Sequence, residues 1–205
     1  NNVTFCYEGI SQPTLNDLEF EINTGDSVGI MGPSGSGKTT FVDVILGLLE
    51  PQIGEILFNG KSLDLEMPTW RSQVAYLPQD GFIVDDTLLR NIVLGTEEKQ
   101  IDQDRLHEVL YQSQLSSLVE ELPQGIETLL GEYGIRLSGG QRQRISIARA
   151  LYRGRGVLIM DEATSALDIE TEREIVEEIR RLKGSVTTLV IAHRLTTLKH
   201  CNRVY

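Results

Sequence analysis

A glycine-rich segment at positions 32–39, GPSGSGKT, constrains the fold more than any other feature of the sequence. It matches the pattern G-x-x-x-x-G-K-[ST] and lies between a short apolar run at 27–31 and a stretch at 38–49 with helical apolar spacing. Glycines let the backbone curl so that successive N–H groups converge, and the start of a helix adds the positive end of its dipole. A strand, a loop and a helix in this order predict a site for phosphate oxygens.

Two side chains of this loop have predicted roles of their own. Lys38 supplies a mobile positive charge for β and γ phosphates, and the Thr39 hydroxyl is placed to bind Mg²⁺. The alternative, a fortuitous glycine-rich turn, is disfavoured because both flanking elements also agree with the motif. The nucleotide-binding residues predicted in this part of the chain are Gly32, Pro33, Ser34, Gly35, Ser36, Gly37, Lys38, Thr39 and Thr40.

A second apolar strand, VLIMDE at 157–162, ends in two carboxylates. Charged groups are costly beside a buried strand unless a cation compensates them. We therefore predict that Asp161 holds hydrated Mg²⁺, while Glu162 points elsewhere and acts as general base on a water molecule aligned with the γ-phosphorus. The alternative is a solvated pair of acids at the start of a helix.

The remaining pattern predicts an α/β fold with a parallel sheet, because strands alternate with helices. Alternating apolar residues (Val3, Phe5 and Tyr7, then Leu18, Phe20 and Ile22) predict two strands of a small antiparallel layer. Further strands are predicted at 54–60, 73–78, 156–161 and 186–192, and helices at 101–120, 139–153 and about 170–183. We interpret the charged run ETEREIVEEIRR in the last of these helices as a solvated face.

Length and composition limit the classes of protein that are possible. A chain of 205 residues is long enough for one domain, with room for a small inserted subdomain. A net charge of −11 argues against broad binding to nucleic acid, and Cys6 and Cys201 lack the spacing of a zinc site or a disulfide framework. No apolar run approaches the roughly 20 residues that cross a bilayer, and the segment NNVTFCYEG lacks the basic start and apolar stretch of a signal peptide, so we expect no membrane span in this chain and nothing in it that directs secretion.

The segment LSGGQ at 137–141, which continues as RQRISIARAL, resembles the signature sequence of ATP-binding-cassette (ABC) proteins. On physical grounds, Ser138, Gly139 and Gly140 form a compact cluster of donors at a helix start, which is a second anion site. The resemblance implies that two domains face head to tail, so that Ser138, Gly139, Gly140 and Gln141 close over the ATP held by the partner. The alternative for this segment is ordinary helix capping.

Four other residues match positions of the same family in order. Gln79 resembles the hinge glutamine that contacts Mg²⁺ or water, and His193 resembles the switch histidine that contacts the γ-phosphate. Asp168, in SALD, resembles the residue that contacts the opposite site across the dimer, and Tyr7 resembles the aromatic ring that stacks on adenine. The alternatives are a core histidine for His193, a plain helix cap for Asp168 and a strand-face aromatic for Tyr7.

The resemblance also implies how the domain is organised. It predicts a P-loop NTPase (RecA-like) core at 1–80 and 146–205 with a small antiparallel β layer, and a helical signature subdomain at 81–145. The segments 84–95 and 122–134 resemble exporters, in which Glu132 would lie near the coupling helices of a membrane domain. Similar domains continue past the position of Tyr205 through a further strand and terminal helices, so we expect a domain trimmed at its C-terminus.

The function that the resemblance implies is ATP hydrolysis that drives export across a membrane, by a motor domain at the cytoplasmic face of that membrane. Expected partners are a second nucleotide-binding domain and transmembrane domains, either fused or separate. A soluble cassette ATPase that acts on DNA or the ribosome is the main alternative, and a regulator that does not hydrolyse ATP is another. The resemblance does not specify the cargo, so lipid, oligosaccharide, peptide and drug all remain open.

Overall fold

A computed structural model describes residues 1–132 and 135–205 of the chain. In these residues the strands are β1 (Val3–Phe5), β2 (Leu15–Leu18), β3 (Ser27–Ile30), β4 (Leu57–Phe58), β5 (Lys61–Ser62), β6 (Val74–Leu77), β7 (Val157–Asp161), β8 (Thr187–Ile191) and β9 (Arg203–Val204). The helices are α1 (Lys38–Ile45), α2 (Leu63–Gln73), α3 (Leu88–Ile92), α4 (Gln103–Gln112), α5 (Ser116–Glu121), α6 (Gly139–Arg153), α7 (Ile169–Arg181) and α8 (Leu195–Leu198). Short 3₁₀ turns lie at Glu98–Gln100 and Gly125–Glu127.

The main sheet has five parallel strands in the order β6-β7-β8-β3-β9, which confirms the predicted α/β class. Its central strands are buried on both faces, and this explains why they appear in the sequence as continuous apolar runs. Side chains of β7 alternate between two hydrophobic clusters: Leu158 and Met160 face one, whereas Ile159 faces the other. The sheet thus separates the helical region from α1 and the antiparallel layer.

The small antiparallel layer differs in detail from its prediction. β1 pairs with β2, but β2 ends at Leu18 and does not include Phe20 or Ile22. Asp17 has a left-handed φ of 49° and the register shifts within this pair, which explains why the second strand is short. β4 and β5 form a separate hairpin, and it turns at Asn59 and Gly60, both with positive φ.

Two predicted helices differ from the observed ones because a residue with a positive φ ends or interrupts them. α1 ends at Ile45 rather than Leu49, since Gly47 adopts a positive φ of 65° just beyond it. The helix predicted at 101–120 is divided into α4 and α5, and Gln114 between them has a φ of 57°. α6 has the predicted bounds, so it runs through the boundary predicted at 145/146.

Helices α2 and α3 were not predicted. α2 contains Pro68 in its interior, where proline normally interrupts a helix, and it has only one buried residue to mark an apolar face. Packing supports it instead: the indole N–H of Trp70 donates to the carbonyl of Ile45, 2.9 Å away, at the end of α1. In the residues described, we find no helix that is long and apolar enough to cross a membrane.

Candidate functional site

Four strands of the main sheet carry predicted site residues at their carboxyl ends. The phosphate loop follows β3, Asp161 ends β7 and precedes Glu162, His193 follows β8, and Gln79 follows β6. These four strands are consecutive in the sheet order and all parallel, so their carboxyl ends lie at one edge. Ligands of open parallel sheets bind in the crevice outside such an edge. The fold therefore brings together residues that are up to about 160 positions apart in the sequence.

The phosphate loop curls around the ammonium group of Lys38. The Lys38 Nζ donates to the carbonyls of Gly32 and Pro33, each 2.9 Å away, while the lysine side chain is buried. Gly37 begins α1 with a φ of 87°, and a Cβ there would lie 3.0 Å from the carbonyl oxygen of Thr14. Glycine is required at this position for both reasons. The loop is thus a backbone cradle at a helix N-terminus, and it fits a polyphosphate.

Asp161 lies buried beside this cradle, where its surroundings favour a cation. Burial is the largest cause that raises the pKa of Asp161, followed by the nearby charges of Glu162 and Asp43, whereas Lys38 lowers it. Burial and the charges of Asp161 and Asp43 raise the pKa of Tyr76 to about 12, so its hydroxyl stays protonated and is available as a donor to Asp161. A divalent cation would offset this concentration of negative charge.

The donor set fits Mg²⁺ better than a transition metal. Among the residues that the structure describes, no group of three or more His, Cys, Asp or Glu side chains could hold a metal ion. Mg²⁺ is usually bound by one or two protein oxygens together with phosphates and waters. Thr39, at the start of α1, and Asp161 can supply such oxygens.

Glu162 and His193 form a direct pair. The Glu162 Oε1 lies 2.7 Å from the His193 Nε2, and the glutamate side chain is only 14% exposed against 46% for the histidine. Glu162 has a left-handed φ of 52°, unusual for a side chain that is not glycine, and its N–H donates to the carbonyl of Ile191. Strained conformations of this kind are typical of functional sites, where the surrounding structure holds them.

Tyr7 lies two residues beyond the end of β1, outside the strand predicted for it, and reaches the first turn of α1. Its hydroxyl lies 3.1 Å from the Thr40 Oγ1, and its ring packs edge-on against Phe5 at a centroid distance of 4.9 Å. The tyrosine is 39% exposed, so part of its ring remains accessible. The predicted adenine contact uses this ring, and the hydroxyl bond is a second role that the sequence did not reveal.

The signature segment begins α6 with a complete capping box. The Ser138 Oγ accepts from the Gln141 N–H at 3.2 Å, and the Gln141 Oε1 accepts from the Ser138 N–H at 2.8 Å. Asp168 caps α7 in a similar way, since its Oδ1 accepts from the Thr171 N–H at 3.0 Å, and these bonds lower its pKa. Both residues therefore have the capping role that was kept as the alternative, and their predicted contacts with a partner's ATP stay predictions.

Gln143 is a buried residue whose importance the sequence analysis missed. Its Nε2 donates to the Gln79 carbonyl at 3.0 Å and its Oε1 accepts from the Ala166 N–H at 3.0 Å, so α6 joins the Gln79 loop to the SALD loop. The Gln79 side chain itself is exposed at this edge of the sheet. A polar residue on the buried face of α6, one turn before Ile147, was the available signal.

Glu172 shows that one sequence interpretation was wrong. We expected the charged run at 170–181 to be a solvated face, but Glu172 is only 7% exposed. It lies on the same stripe of α7 as the buried Ile175 and Ile179, at spacings of three and seven residues. An acid on an apolar stripe was the signal that could have identified it.

The exporter-like segment at 122–134 is described except for its last two residues, Tyr133 and Gly134, which lie outside the described residues.

Comparison with known proteins identifies the family. The family model described as "ABC transporter" matches residues 15–165. The chain is 41% identical, over 205 residues, to an ATP-dependent lipid A-core flippase of Ralstonia nicotianae, and 42% identical over 203 residues to the flippase of the same name in Burkholderia orbicola. These alignments cover 99% and 98% of the chain but only 35% and 34% of the flippases. The chain thus spans about a third of the length of these relatives.

A solved structure agrees with the sequence comparison. A bacterial Atm1-family ABC exporter with ATP bound superposes with a TM-score of 0.91 and 34% sequence identity, over 98% of this chain and 35% of the exporter chain. The family match covers well over half of the chain, and the fold agrees with it throughout. The chain therefore belongs to the ABC transporter family, as a nucleotide-binding ATPase domain of the exporter type.

Proposed function

We propose that this chain hydrolyses ATP to ADP and phosphate at the edge formed by β3, β6, β7 and β8, and that this drives export across a membrane. The observation that carries the proposal is the contact of 2.7 Å between Glu162 and His193 beside the phosphate loop. In this contact a carboxylate and an imidazole lie at the ends of neighbouring strands, next to the cradle for the triphosphate. A binding module without hydrolysis does not need this pair.

Hydrolysis at this site follows from what each residue can do. The cradle from Gly32 to Thr40 and the Lys38 ammonium hold the β and γ phosphates. The Glu162 carboxylate accepts a proton from water while the new bond forms between the water oxygen and the γ-phosphorus, and the bond to the β–γ bridging oxygen breaks. His193 holds Glu162 and contacts the γ-phosphate, and Tyr7 stacks on adenine. Catalysis depends mainly on this positioning.

Mg²⁺ is part of the proposal. Thr39, Gln79 and Asp161 are the residues that would hold it, directly or through water, and the buried, negatively charged surroundings of Asp161 support this assignment. The ion would neutralise charge on the phosphate oxygens.

A second copy or a related domain completes each site. Ser138, Gly139, Gly140 and Gln141 begin a different helix from the one that follows the phosphate loop, and their capping bonds join residues within that segment. The N–H groups of the first helical turn have no carbonyl partner within the helix, so Gly139 and Gly140 offer donors to an anion. We propose that they contact the partner's ATP, with Asp168 at the same interface. In this organisation, residues 1–80 and 146–205 form the ATP-binding core and 81–145 form the signature subdomain.

At the level of the whole protein, we propose the motor of an exporter at the cytoplasmic face of a membrane. Similarity to flippases and to an Atm1-family exporter over nearly the whole chain supports membrane domains in the same polypeptide, because those proteins are about three times as long. Nucleotide binding would close two motor domains and hydrolysis would separate them.

The proposal is tested with the Glu162→Gln variant of the intact natural protein. We expect ATP turnover to fall at least about a hundredfold, because a residue that acts as general base is replaced by an isosteric group that cannot accept the proton. ATP binding is retained, since Glu162 is not part of the cradle. The matched control is Glu170→Gln, at an exposed position of α7. Turnover of the Glu162→Gln variant close to that of the natural protein would refute the general-base assignment.

A further inference from the structure

A buried carboxylate lies directly behind the Glu162–His193 pair. The Glu172 side chain is 9% exposed, and it accepts from the Thr164 Oγ1 at 3.0 Å, from the Thr197 Oγ1 at 2.8 Å and from the Arg194 guanidinium. Both threonines are themselves buried. A buried carboxylate is retained at a cost, and it requires several donors to offset that cost. Here those donors come from two separate segments of the chain.

The donors come from the two segments that also carry the pair. Thr164 lies in the turn that begins at Glu162, and Arg194 is the neighbour of His193. The turn at 162–167 and the segment at 193–197 are therefore tied twice: once through the Glu162–His193 contact, and once through Glu172. A small cavity of about 90 Å³ lies between the two ties, with Glu162, His193 and Glu172 in its lining. Few other contacts can hold His193 in place, because its side chain is 46% exposed.

We propose that Glu172 is a positioning residue for ATP hydrolysis: through Arg194 and Thr164, it holds His193 and Glu162 in register with each other. It contacts neither the phosphate cradle nor the Glu162 carboxylate, so it acts through the two segments and not on the nucleotide. Displacements of about 1 Å at a reacting group reduce rates up to a hundredfold. This inference rests on the proposed hydrolysis of ATP.

The Glu172→Gln variant of the intact natural protein isolates this role. Glutamine has nearly the same shape, and its carbonyl oxygen can still accept from Thr164 and Thr197, but its amide presents donors to the Arg194 guanidinium. We expect kcat to fall about tenfold or more while the affinity for ATP stays within about twofold, because Arg194 is released and His193 shifts. Arg194→Met should lower kcat by as much as Glu172→Gln does, and Arg194→Lys should lower it less. The kcat of the double variant E172Q/R194M should fall no further than that of either single variant. The matched control is Glu174→Gln, an exposed position of the same helix.

A purely structural role for Glu172 predicts a different pattern. In that case kcat and ATP affinity fall together with the melting temperature, or kcat does not change, and either result overturns the proposal. If Glu172→Gln does not fold, the half-exposed Arg194 gives the same test through Arg194→Met. Amide hydrogen exchange of residues 192–198 is measured in the same samples and should accelerate in Glu172→Gln but not in Glu174→Gln. The exchange rate does not depend on turnover. If the natural protein has no ATPase activity, the proposed function is refuted, but the exchange measurement still shows whether Glu172 holds the segment that carries His193.

Discussion

Replacing Ser138 with alanine separates the two roles available to this residue, capping of α6 and contact with a partner's ATP. The structure shows one side-chain bond that is lost, from the Gln141 N–H to the Ser138 Oγ at 3.2 Å. The reciprocal bond from the Ser138 N–H to Gln141 survives, because it uses the backbone of residue 138. Loss of an N-cap costs about 1 kcal/mol, which lowers the melting temperature of a domain of this size by roughly 2–4 °C.

The contact with ATP predicts a much larger effect on turnover. A hydrogen bond to a charged group contributes about 1.5–3 kcal/mol, and this corresponds to roughly a 10- to 150-fold loss of rate if the bond matters in the transition state. The assay is steady-state ATP hydrolysis by the intact protein, at a temperature below the melting transition seen in thermal melts of the same samples. Capping alone would leave turnover nearly unchanged under these conditions.

Asp102→Ala provides the matched control for this experiment. Asp102 caps α4 with the same geometry, since its Oδ1 accepts from the Arg105 N–H at 2.9 Å, and it is not a predicted site residue. We expect Asp102→Ala and Ser138→Ala to lower the melting temperature by similar amounts, but only Ser138→Ala to lose turnover. Equal turnover in the two variants would assign Ser138 to capping alone and refute its contact with a partner's ATP.

Two further pairs of variants test the adenine contact and the loop that follows β6. Tyr7→Phe should keep the affinity for ATP within about threefold, whereas Tyr7→Ala should weaken it roughly 5- to 150-fold because about 1–3 kcal/mol of stacking is lost. A titration with fluorescent ATP measures both affinities, and equal losses of affinity would assign the contribution of Tyr7 to its hydroxyl and not to its ring. A Cβ at Gly81 would lie 2.7 Å from the Arg142 carbonyl oxygen, so Gly81→Ala should lower stability by about 1–3 kcal/mol in urea unfolding. Its control is Gly156→Ala, where a Cβ meets only the flexible end of Gln73, and equal stability of the two variants would contradict the close approach.

The sequence alone predicted the parallel α/β core, the bounds of α6 and the residues at the strand ends. These features could be predicted because each depends on a short stretch of the chain. A buried strand is a continuous apolar run, and the phosphate loop, the Asp161–Glu162 pair and the signature are contiguous segments beside such runs. The general positions of the site residues followed from the parallel strand order, since carboxyl ends of parallel strands share an edge.

What could not be predicted depends on contacts between distant segments. Pro68 concealed α2, which packs through Trp70 on a residue 25 positions away. Gln143 and Glu172 belong to charged or polar runs, and only their partners distinguish them from solvated side chains. Gln143 reaches the Gln79 loop across 64 positions, and Glu172 reaches Arg194 across 22.

The sequence by itself therefore determined which residues have the chemistry that phosphate binding, proton acceptance and cation binding require, because that chemistry is a property of side chains and of short backbone turns. Only the tertiary structure decided which polar side chains are buried between those residues and hold them in place. Burial of a polar group is favourable only where several donors from separate segments converge on it, and that convergence exists only in the folded chain.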